Sequence, residues 1–164
     1  MPYRIKVDIA LHPVAWKVLR GKYSYDGTAV DVGHGWLYSL IVQSLEHRHI
    51  ILAGELKRNP IKMVRGAVYI SERDYLHHGG YIRLSRQANI SRAIYRMERD
   101  IMCNKIAVMY ATTGIERNKI MRQILDEHDL AEDEMSFEAL KKYYQRNYRQ
   151  KEEDITNTIK ELRN

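Results

Sequence analysis

From Gln87 onward, apolar residues recur every third or fourth position, and no segment alternates in the manner of a strand. This spacing is typical of amphipathic helices, whose apolar residues gather on one face. The first such segment ends near Thr112-Thr113-Gly114, since glycine commonly follows a helix. Its predicted apolar side consists of Ile90, Ile94, Met97, Ile101 and Val108, widened by Met102, Ile106 and Met109. The second half of the chain is therefore predicted to be helical.

The first half has a different pattern. Apolar and polar residues alternate from Tyr3 to Leu11, which predicts a half-buried strand. Pro13 suits the first turn of a helix, and a short helix is predicted to end at Gly21. Residues 22–35 are expected to form a loop with a turn at Asp26-Gly27.

Further elements are predicted between residue 36 and residue 85. A second helix is expected from Trp36 to His47, followed by a short strand from Ile50 to Ala53. Met63 to Ser71 predicts another strand, with Val64, Val68 and Ile70 on its inner side and Gly66 as a bulge. The segment from Tyr81 to Ser85 is expected to pair beside that strand or with another subunit.

These patterns predict an α+β fold: a small strand and helix unit, then a helical half containing a helix-turn-helix-like pair. The predicted regions are residues 1–85, as a possible dimerisation region, and residues 86–150, as a nucleic-acid-binding region. Residues 151–164 are predicted to form an amphipathic tail helix, with Ile155, Ile159 and Leu162 at helical spacing. The tail is expected either to pack on a partner or to fray.

The predicted helix pair lies between Thr113 and Gln150. Its first helix places Ile120, Met121, Ile124 and Leu125 inward, with Lys119 and Arg122 outward. Ser136 is a natural N-cap for the second helix, in which Leu140, Tyr144 and Tyr148 share a face. Basic residues are predicted on the opposite face of this second helix and of the preceding long helix. They are Lys142, Arg146 and Arg149 on the former and Arg92, Arg96 and Arg99 on the latter.

A helix that binds phosphates or lies in a groove needs cationic residues on its exposed face. Apolar residues on its opposite face anchor it to the protein. The alternative is an ordinary amphipathic helix with a solvated basic face. The turn before the second helix carries Asp129, Glu132, Asp133 and Glu134. Because phosphates repel carboxylates, the middle and C-terminal half of this helix are predicted to face nucleic acid. Lys141 and Tyr143 are secondary candidates for the contact.

Composition limits the classes of function. The net charge of +6 and a pI near 9.4 favour an anionic partner. Tyrosine occurs 12 times against one phenylalanine, which suits partly exposed contacts with protein, phosphate or base. The single cysteine, Cys103, excludes an intrachain disulfide and suits a reducing compartment. No signal peptide or membrane-spanning run is visible, so the expected location is the cytoplasm of a bacterium or host cell.

Two segments resemble proteins of phages and mobile elements. A strand-like Gly79-Gly80-Tyr81-Ile82, an arginine-bearing helix and a C-terminal helical pair resemble the layout of phage middle-operon transcription activators. The segment MSFEALKKYYQRNYR, from Met135 to Arg149, is similar to small mobile-element proteins. The resemblance implies a dimeric DNA-binding regulator. Two features depart from that family, namely the N-terminal strand and the acidic turn.

Motifs for catalysis and cofactor binding are scarce. The seven histidines form no HExxH or Cys/His ligand set, and no phosphate-binding or dinucleotide-binding glycine motif is present. We therefore expect no cofactor, no metal and no small-molecule substrate. One enzymatic hypothesis remains: Asp31, Glu55 and Lys57 resemble the Asp…Glu-x-Lys pattern of Mg²⁺-dependent nucleases.

The leading prediction is a non-enzymatic DNA-binding protein, a transcriptional regulator of a phage or mobile element that acts as a homodimer. The alternative is a phage assembly or interaction protein that oligomerises through its helices, and a nuclease is the third hypothesis.

Overall fold

The computed structural model describes residues 3–47, 63–132 and 134–163. The protein is α+β, with strands and helices followed by a helical C-terminal half, so the predicted fold class is confirmed. The chain divides into two compact units. The first unit spans Met1–Tyr95 and the second spans Arg96–Asn164.

The first unit contains a four-stranded sheet with the order β1-β5-β3-β2. Its main ladder joins β1 (Arg4–Leu11) to β5 (Val64–Ser71) in antiparallel pairing. On the other side of β5, β3 (Val30–Asp31) is parallel, and β2 (Ser24–Tyr25) completes the sheet. Residues from both faces of the long ladder enter the core. They include Val7, Ile9, Leu11, Ala67, Val68 and Ile70.

The prediction that residues 22–35 form only a loop was wrong, because β2 and β3 lie within it. Their pairing depends on the turn between them. The Asp26 carboxylate accepts the backbone N–H groups of Thr28 and Ala29, at 2.8 and 2.9 Å, and Gly27 adopts a positive φ of 90°. These bonds fold the chain back so that two very short strands pair, and such short strands leave little periodicity to detect.

Gly66 was predicted to form a bulge, and this was wrong. The β1–β5 register is continuous, with Ile9 opposite Gly66. The glycine is needed because the Trp16 ring lies against it: a Cβ at this position would be 2.3 Å from a ring carbon. The Trp16 indole N–H donates to the Val64 carbonyl at 2.7 Å. Val64 lies opposite Leu11, on the same face of β5 as Val68 and Ile70, as predicted, but at the start of the strand it is 40% exposed.

Helices and a second small sheet complete the first unit. Helix α1 (Pro13–Lys22) begins at the predicted proline, and α2 (Trp36–Ser44) ends three residues before the predicted His47. The chain leaves α2 into β4 (Leu45–Glu46), which pairs antiparallel with β6 (Tyr81–Ile82). Tyr81 thus pairs with β4 and not with β5. The predicted strand from Ile50 to Ala53 lies outside the described residues.

Helix α3 (Glu72–His78) follows β5 directly and was not predicted. Ser71 caps it by accepting the Asp74 N–H at 3.1 Å. None of its residues is buried, so no apolar periodicity marks it in the sequence.

Helix α4 (Leu84–Thr113) begins in the first unit and ends in the second, and Gly114 follows it with a φ of 68°. Its buried residues include Ile90, Ile94, Met102 and Ile106. Two residues of the predicted apolar side are substantially exposed, Ile101 at 41% and Val108 at 48%. Cys103 and Ala107 are buried instead, which rotates the inner face of the second half of α4 away from the predicted side.

The rest of the second unit consists of α5 (Arg117–Glu127), α6 (Phe137–Asn147) and α7 (Arg149–Arg163). The predicted inward residues of α5 are buried, and Lys119 and Arg122 are exposed as predicted. Leu140, Tyr144 and Tyr148 are buried as well. The Ser136 N-cap is confirmed, since its hydroxyl accepts the Ala139 N–H at 3.1 Å.

Candidate nucleic-acid interface

Lys142 and Arg146 are the two predicted contact residues that α6 presents to solvent. Both side chains are exposed, while Leu140 and Tyr144 of the same helix are buried. The two cations lie four positions apart and therefore one above the other on the helix surface. Within residues 3–47, 63–132 and 134–163, neither forms an ion pair. Two neighbouring charges without a counter-charge are available to an anionic ligand.

Arg149 does not belong to α6, contrary to the prediction that it shares a face with Lys142. The helix ends at Asn147, and Tyr148 has φ −126° and ψ −9°, outside helical geometry. The Tyr148 ring is buried and stacks on Tyr144, with centroids 6.1 Å apart and planes at 17°. Arg149 starts α7, where its Nε is 3.8 Å from Glu153. Continuous 3.6-residue periodicity across this junction had concealed the break.

Arg99 and Tyr143 contact one another. The Arg99 guanidinium carbon lies over the Tyr143 ring, 3.4 Å from its centroid, which joins α4 to α6. The Tyr143 hydroxyl donates to Asp100 at 2.6 Å, and this hydrogen bond raises the pKa of Tyr143. One face of the ring and its hydroxyl are thus occupied within the protein. These two predicted contact residues therefore also position the helices.

The remaining predicted contact residues are Arg96, Lys141 and Arg92. Arg96 is exposed and precedes Arg99 by three positions on α4. The Lys141 ammonium is 5.8 Å from the centroid of the Phe137 ring, as expected for a lysine that lies along an apolar edge. Arg92 is exposed but belongs to the first unit.

The acidic turn has a structural role. The Glu132 carboxylate accepts the Phe137 N–H at 3.2 Å, and Glu134 accepts the Ala131 N–H at 3.0 Å. Carboxylates at this position also stabilise α6 through its helix dipole. The connection from His128 to Ser136 is longer than the roughly three- or four-residue turn of a helix-turn-helix. The helix pair therefore differs from that motif in the link between its helices.

Sequence reasoning missed two buried carboxylates of the second unit. Glu152 of α7 is 2% exposed and accepts from both Nε and Nη2 of Arg117, at 2.5 to 3.0 Å, and from the Tyr144 hydroxyl at 2.5 Å. Glu98 is 1% exposed and lies 2.8 Å from Nδ1 of His128. A detectable signal existed for Glu152, because it shares a helical face with Ile155 and Ile159. The Glu152 contacts fix α7 against α5 and α6, and the Glu98 contact joins α4 to the end of α5.

The third hypothesis, a nuclease, depends on Asp31, Glu55 and Lys57. Asp31 forms an ion pair with Arg4, and its Oδ1 accepts the Gly33 N–H at 3.1 Å. Glu55 and Lys57 lie outside the described residues. Among the residues that are described, no three His, Cys, Asp or Glu side chains are grouped to hold a metal ion.

No protein-family model, curated protein or solved structure matches this chain. In the described part of the chain, every helix is too short or too polar to cross a membrane.

Proposed function

We propose that the protein binds DNA through the second unit, as a cytoplasmic, homodimeric transcriptional regulator. The observation that carries the proposal is the contact between Arg99 and Tyr143. It joins the basic part of α4 to the basic part of α6, since Arg96 lies one turn from Arg99 and Arg146 one turn from Tyr143. Lys142 extends the same cationic area along α6.

The contact is proposed to involve phosphates more than base edges. Lys142, Arg146 and Arg96 are exposed and supply long cationic donors, while Arg149 at the start of α7 is partly engaged by Glu153. Arg92 lies in the first unit and is not part of this surface of the second unit. Because carboxylates cap the N-terminal end of α6, that end is held away from the phosphate backbone, and the middle of the helix approaches it. This arrangement supports binding with limited sequence readout by α6.

The test is fluorescence anisotropy with a labelled DNA duplex, over salt concentrations from roughly 50 to 200 mM. The double variant Lys142→Ala/Arg146→Ala is expected to weaken binding at every salt concentration. It should also reduce the slope of log K against log salt by about 2, one for each lost phosphate contact.

The matched control is Lys119→Ala/Lys160→Ala, which removes the same charge from exposed positions of α5 and α7. It should bind nearly as the unaltered protein does. Absence of binding at low salt contradicts the proposal. An equal loss of affinity in both double variants would mean that net charge alone, and no defined surface, attracts the DNA.

A second candidate is an assembly or interaction protein that uses its helices. It is favoured by apolar residues exposed on the second unit's helices, among them Leu162 at 82% and Val108 at 48%. This function predicts stable oligomers and no dependence on DNA. Light scattering together with the anisotropy assay separates the two candidates.

A further inference from the structure

Strand β1 is the long edge strand of the first unit's sheet. It lies at one end of the order β1-β5-β3-β2 and pairs only with β5 among the strands that the structure describes. An edge strand presents a row of backbone donors and acceptors to any strand that can align with it. Three residues of β1 are also exposed to solvent, namely Arg4, Lys6 and Asp8.

The hydrogen bonds at both ends of β1 show which residues point to the open edge. The Ala10 N–H donates to Oε1 of Gln87 at 2.8 Å, away from β5. The Tyr3 carbonyl accepts the Glu72 N–H at 3.1 Å, on the β5 side. Because backbone groups alternate along a strand, the N–H and C=O groups of Lys6 and Asp8 face the edge. No described residue forms a hydrogen bond with them.

Gln87 limits how far this edge is open. Its amide oxygen occupies the Ala10 N–H, and Ser91 accepts the His12 N–H at 3.1 Å. Among the described residues, none occupies the edge-facing backbone groups of Arg4, Lys6 and Asp8. A strand docking here therefore has a short ladder and depends on the side chains beside it.

We propose that β1 pairs with β1 of a second copy of this chain, antiparallel, with Lys6 opposite the partner's Asp8. In this register the two-fold axis passes through Val7, so that Asp8 is also opposite the partner's Lys6. Each such pair exchanges two backbone hydrogen bonds, which gives roughly four at the centre of the interface. Opposite charges then face each other twice on the exposed side of the sheet.

Other registers fit less well. A shift of two residues places either Lys6 opposite the partner's Lys6 or Asp8 opposite the partner's Asp8, where like charges repel. The first of these shifts also sets Asp8 opposite the partner's Arg4, but Arg4 is already paired with Asp31 of its own chain. A shift of one residue places backbone N–H and C=O groups that face the edge opposite backbone groups of the partner that face its own β5. It also brings apolar side chains opposite charged ones. In the proposed register Ile5 lies opposite the partner's Ile9, so the apolar inner face continues from one copy to the next. Self-complementarity of charge is the reason for choosing a second copy as the occupant.

The inference rests on the proposed homodimer and is independent of DNA binding. It is tested by sedimentation velocity without DNA, over roughly a hundredfold range of concentration. The unaltered protein should form a species of twice the chain mass of 19.4 kDa. The single variants Lys6→Asp and Asp8→Lys each set like charges against each other twice. Each should weaken dimerisation about tenfold or more.

The double variant Lys6→Asp/Asp8→Lys exchanges the two charges and restores opposite pairing, so its dimer should return to nearly the original strength. Lys119→Asp controls for the change in net charge and should leave the dimer unchanged. Asp8→Pro removes an edge-facing N–H that β5 does not use, so the fold should persist by far-UV circular dichroism while the dimer is lost.

A monomer at every concentration overturns the proposal, as do single variants that dimerise like the unaltered protein. A double exchange as weak as the single variants overturns the proposed register. Lys142→Ala/Arg146→Ala should remain dimeric whatever its affinity for DNA. Failure of the DNA proposal and failure of this one therefore give different results.

Discussion

The two units bury different kinds of polar side chain. Among the described residues of the first unit, the buried polar side chains are neutral: Ser44, Gln87 and Ser91. In the second unit they are the carboxylates Glu98 and Glu152. The neutral group serves backbone atoms, as when Gln87 accepts the Ala10 N–H and donates to the Ile82 carbonyl at 2.5 Å. The carboxylates instead join helices to one another.

This difference indicates what aligns the strands of the first unit and the helices of the second. A strand ladder aligns β1 and β5 through backbone hydrogen bonds, so apolar packing suffices to complete the first unit. Helices satisfy their own backbone groups and have no such alignment between them. In the second unit, buried carboxylates at specified positions supply it: Glu152 selects Arg117 and Tyr144, and Glu98 selects His128. Burying charges costs desolvation energy, so this contribution is to specificity more than to stability.

Two natural probes distinguish the units in experiments. Both tryptophans, Trp16 and Trp36, belong to the first unit, and the only cysteine, Cys103, belongs to the second. Burial raises the pKa of the Cys103 thiol to about 12, so it should not react with thiol reagents at neutral pH until the second unit opens. Tryptophan fluorescence therefore follows the first unit, and thiol labelling follows the second.

The largest effect is expected from Arg117→Met, which leaves Glu152 buried without its counter-charge. We expect the free energy of unfolding to fall by about 3 kcal/mol at neutral pH. Thiol labelling of Cys103 should accelerate, because α7 loses its contact with α5. The double variant Arg117→Met/Glu152→Met should recover much of this loss, since it removes the stranded charge. A double variant less stable than the single one would contradict this role for Glu152.

The Arg117 effect should depend on pH. Burial acts to raise the pKa of Glu152, but hydrogen bonds from Arg117 and Tyr144 outweigh it and hold that pKa below the ordinary value. The stabilisation by the pair is therefore present above about pH 4.5 and is lost as pH falls through the lowered pKa. The difference between the unaltered protein and Arg117→Met should shrink below about pH 5. Leu11→Ala creates an apolar cavity in the first unit. Its difference in unfolding free energy from the unaltered protein should instead be the same at every pH.

A second prediction concerns the first unit. Gly66→Ala places a Cβ within 2.3 to 2.8 Å of three Trp16 ring atoms. The ring must move, which disturbs its hydrogen bond to the Val64 carbonyl. We expect a loss of about 2 kcal/mol, with a change in tryptophan fluorescence and little change in Cys103 labelling.

The control is Gly21→Ala, in α1 of the same unit. A Cβ there meets nothing within 4 Å, and the position is helical, so alanine should stabilise by up to about 1 kcal/mol. If both substitutions are neutral, close packing of Trp16 on β5 does not contribute to the stability of the first unit.

Gly66 also illustrates what the sequence could and could not predict. Period-two alternation correctly predicted β1, where Val7, Ile9 and Leu11 are buried on one face, and β5, where Val68 and Ile70 are buried on the same face of the sheet. The reason for Gly66 lay in Trp16, fifty positions earlier, and no local pattern contains that contact. Helix α3 was missed for the opposite reason: it buries nothing, so its residues follow no apolar period.

The candidate interface, like the sheet around Gly66, could be predicted from the sequence only in part. Exposure of Lys142 and Arg146 follows from the burial of Leu140 and Tyr144 on the same helix. The separation of Arg149 from that face depends on Tyr148, whose buried ring and non-helical backbone end α6. The contact between Arg99 and Tyr143 joins two helices far apart in sequence, and periodicity within one helix does not reveal such a pairing.

The smallest effects are expected from replacing the serine that caps one helix in each unit. Among the described residues, the Ser136 hydroxyl accepts the Ala139 N–H alone, so Ser136→Ala should destabilise by about 1 kcal/mol and accelerate Cys103 labelling. Ser71 accepts the Asp74 N–H and also donates to the Asp74 carboxylate at 2.6 Å, which helps to lower the pKa of Asp74. Ser71→Ala should therefore cost more than Ser136→Ala and act on tryptophan fluorescence. Equal costs would mean that the bond from Ser71 to the Asp74 carboxylate adds no stability. Changes in both probes for either variant would mean that the two units do not unfold separately.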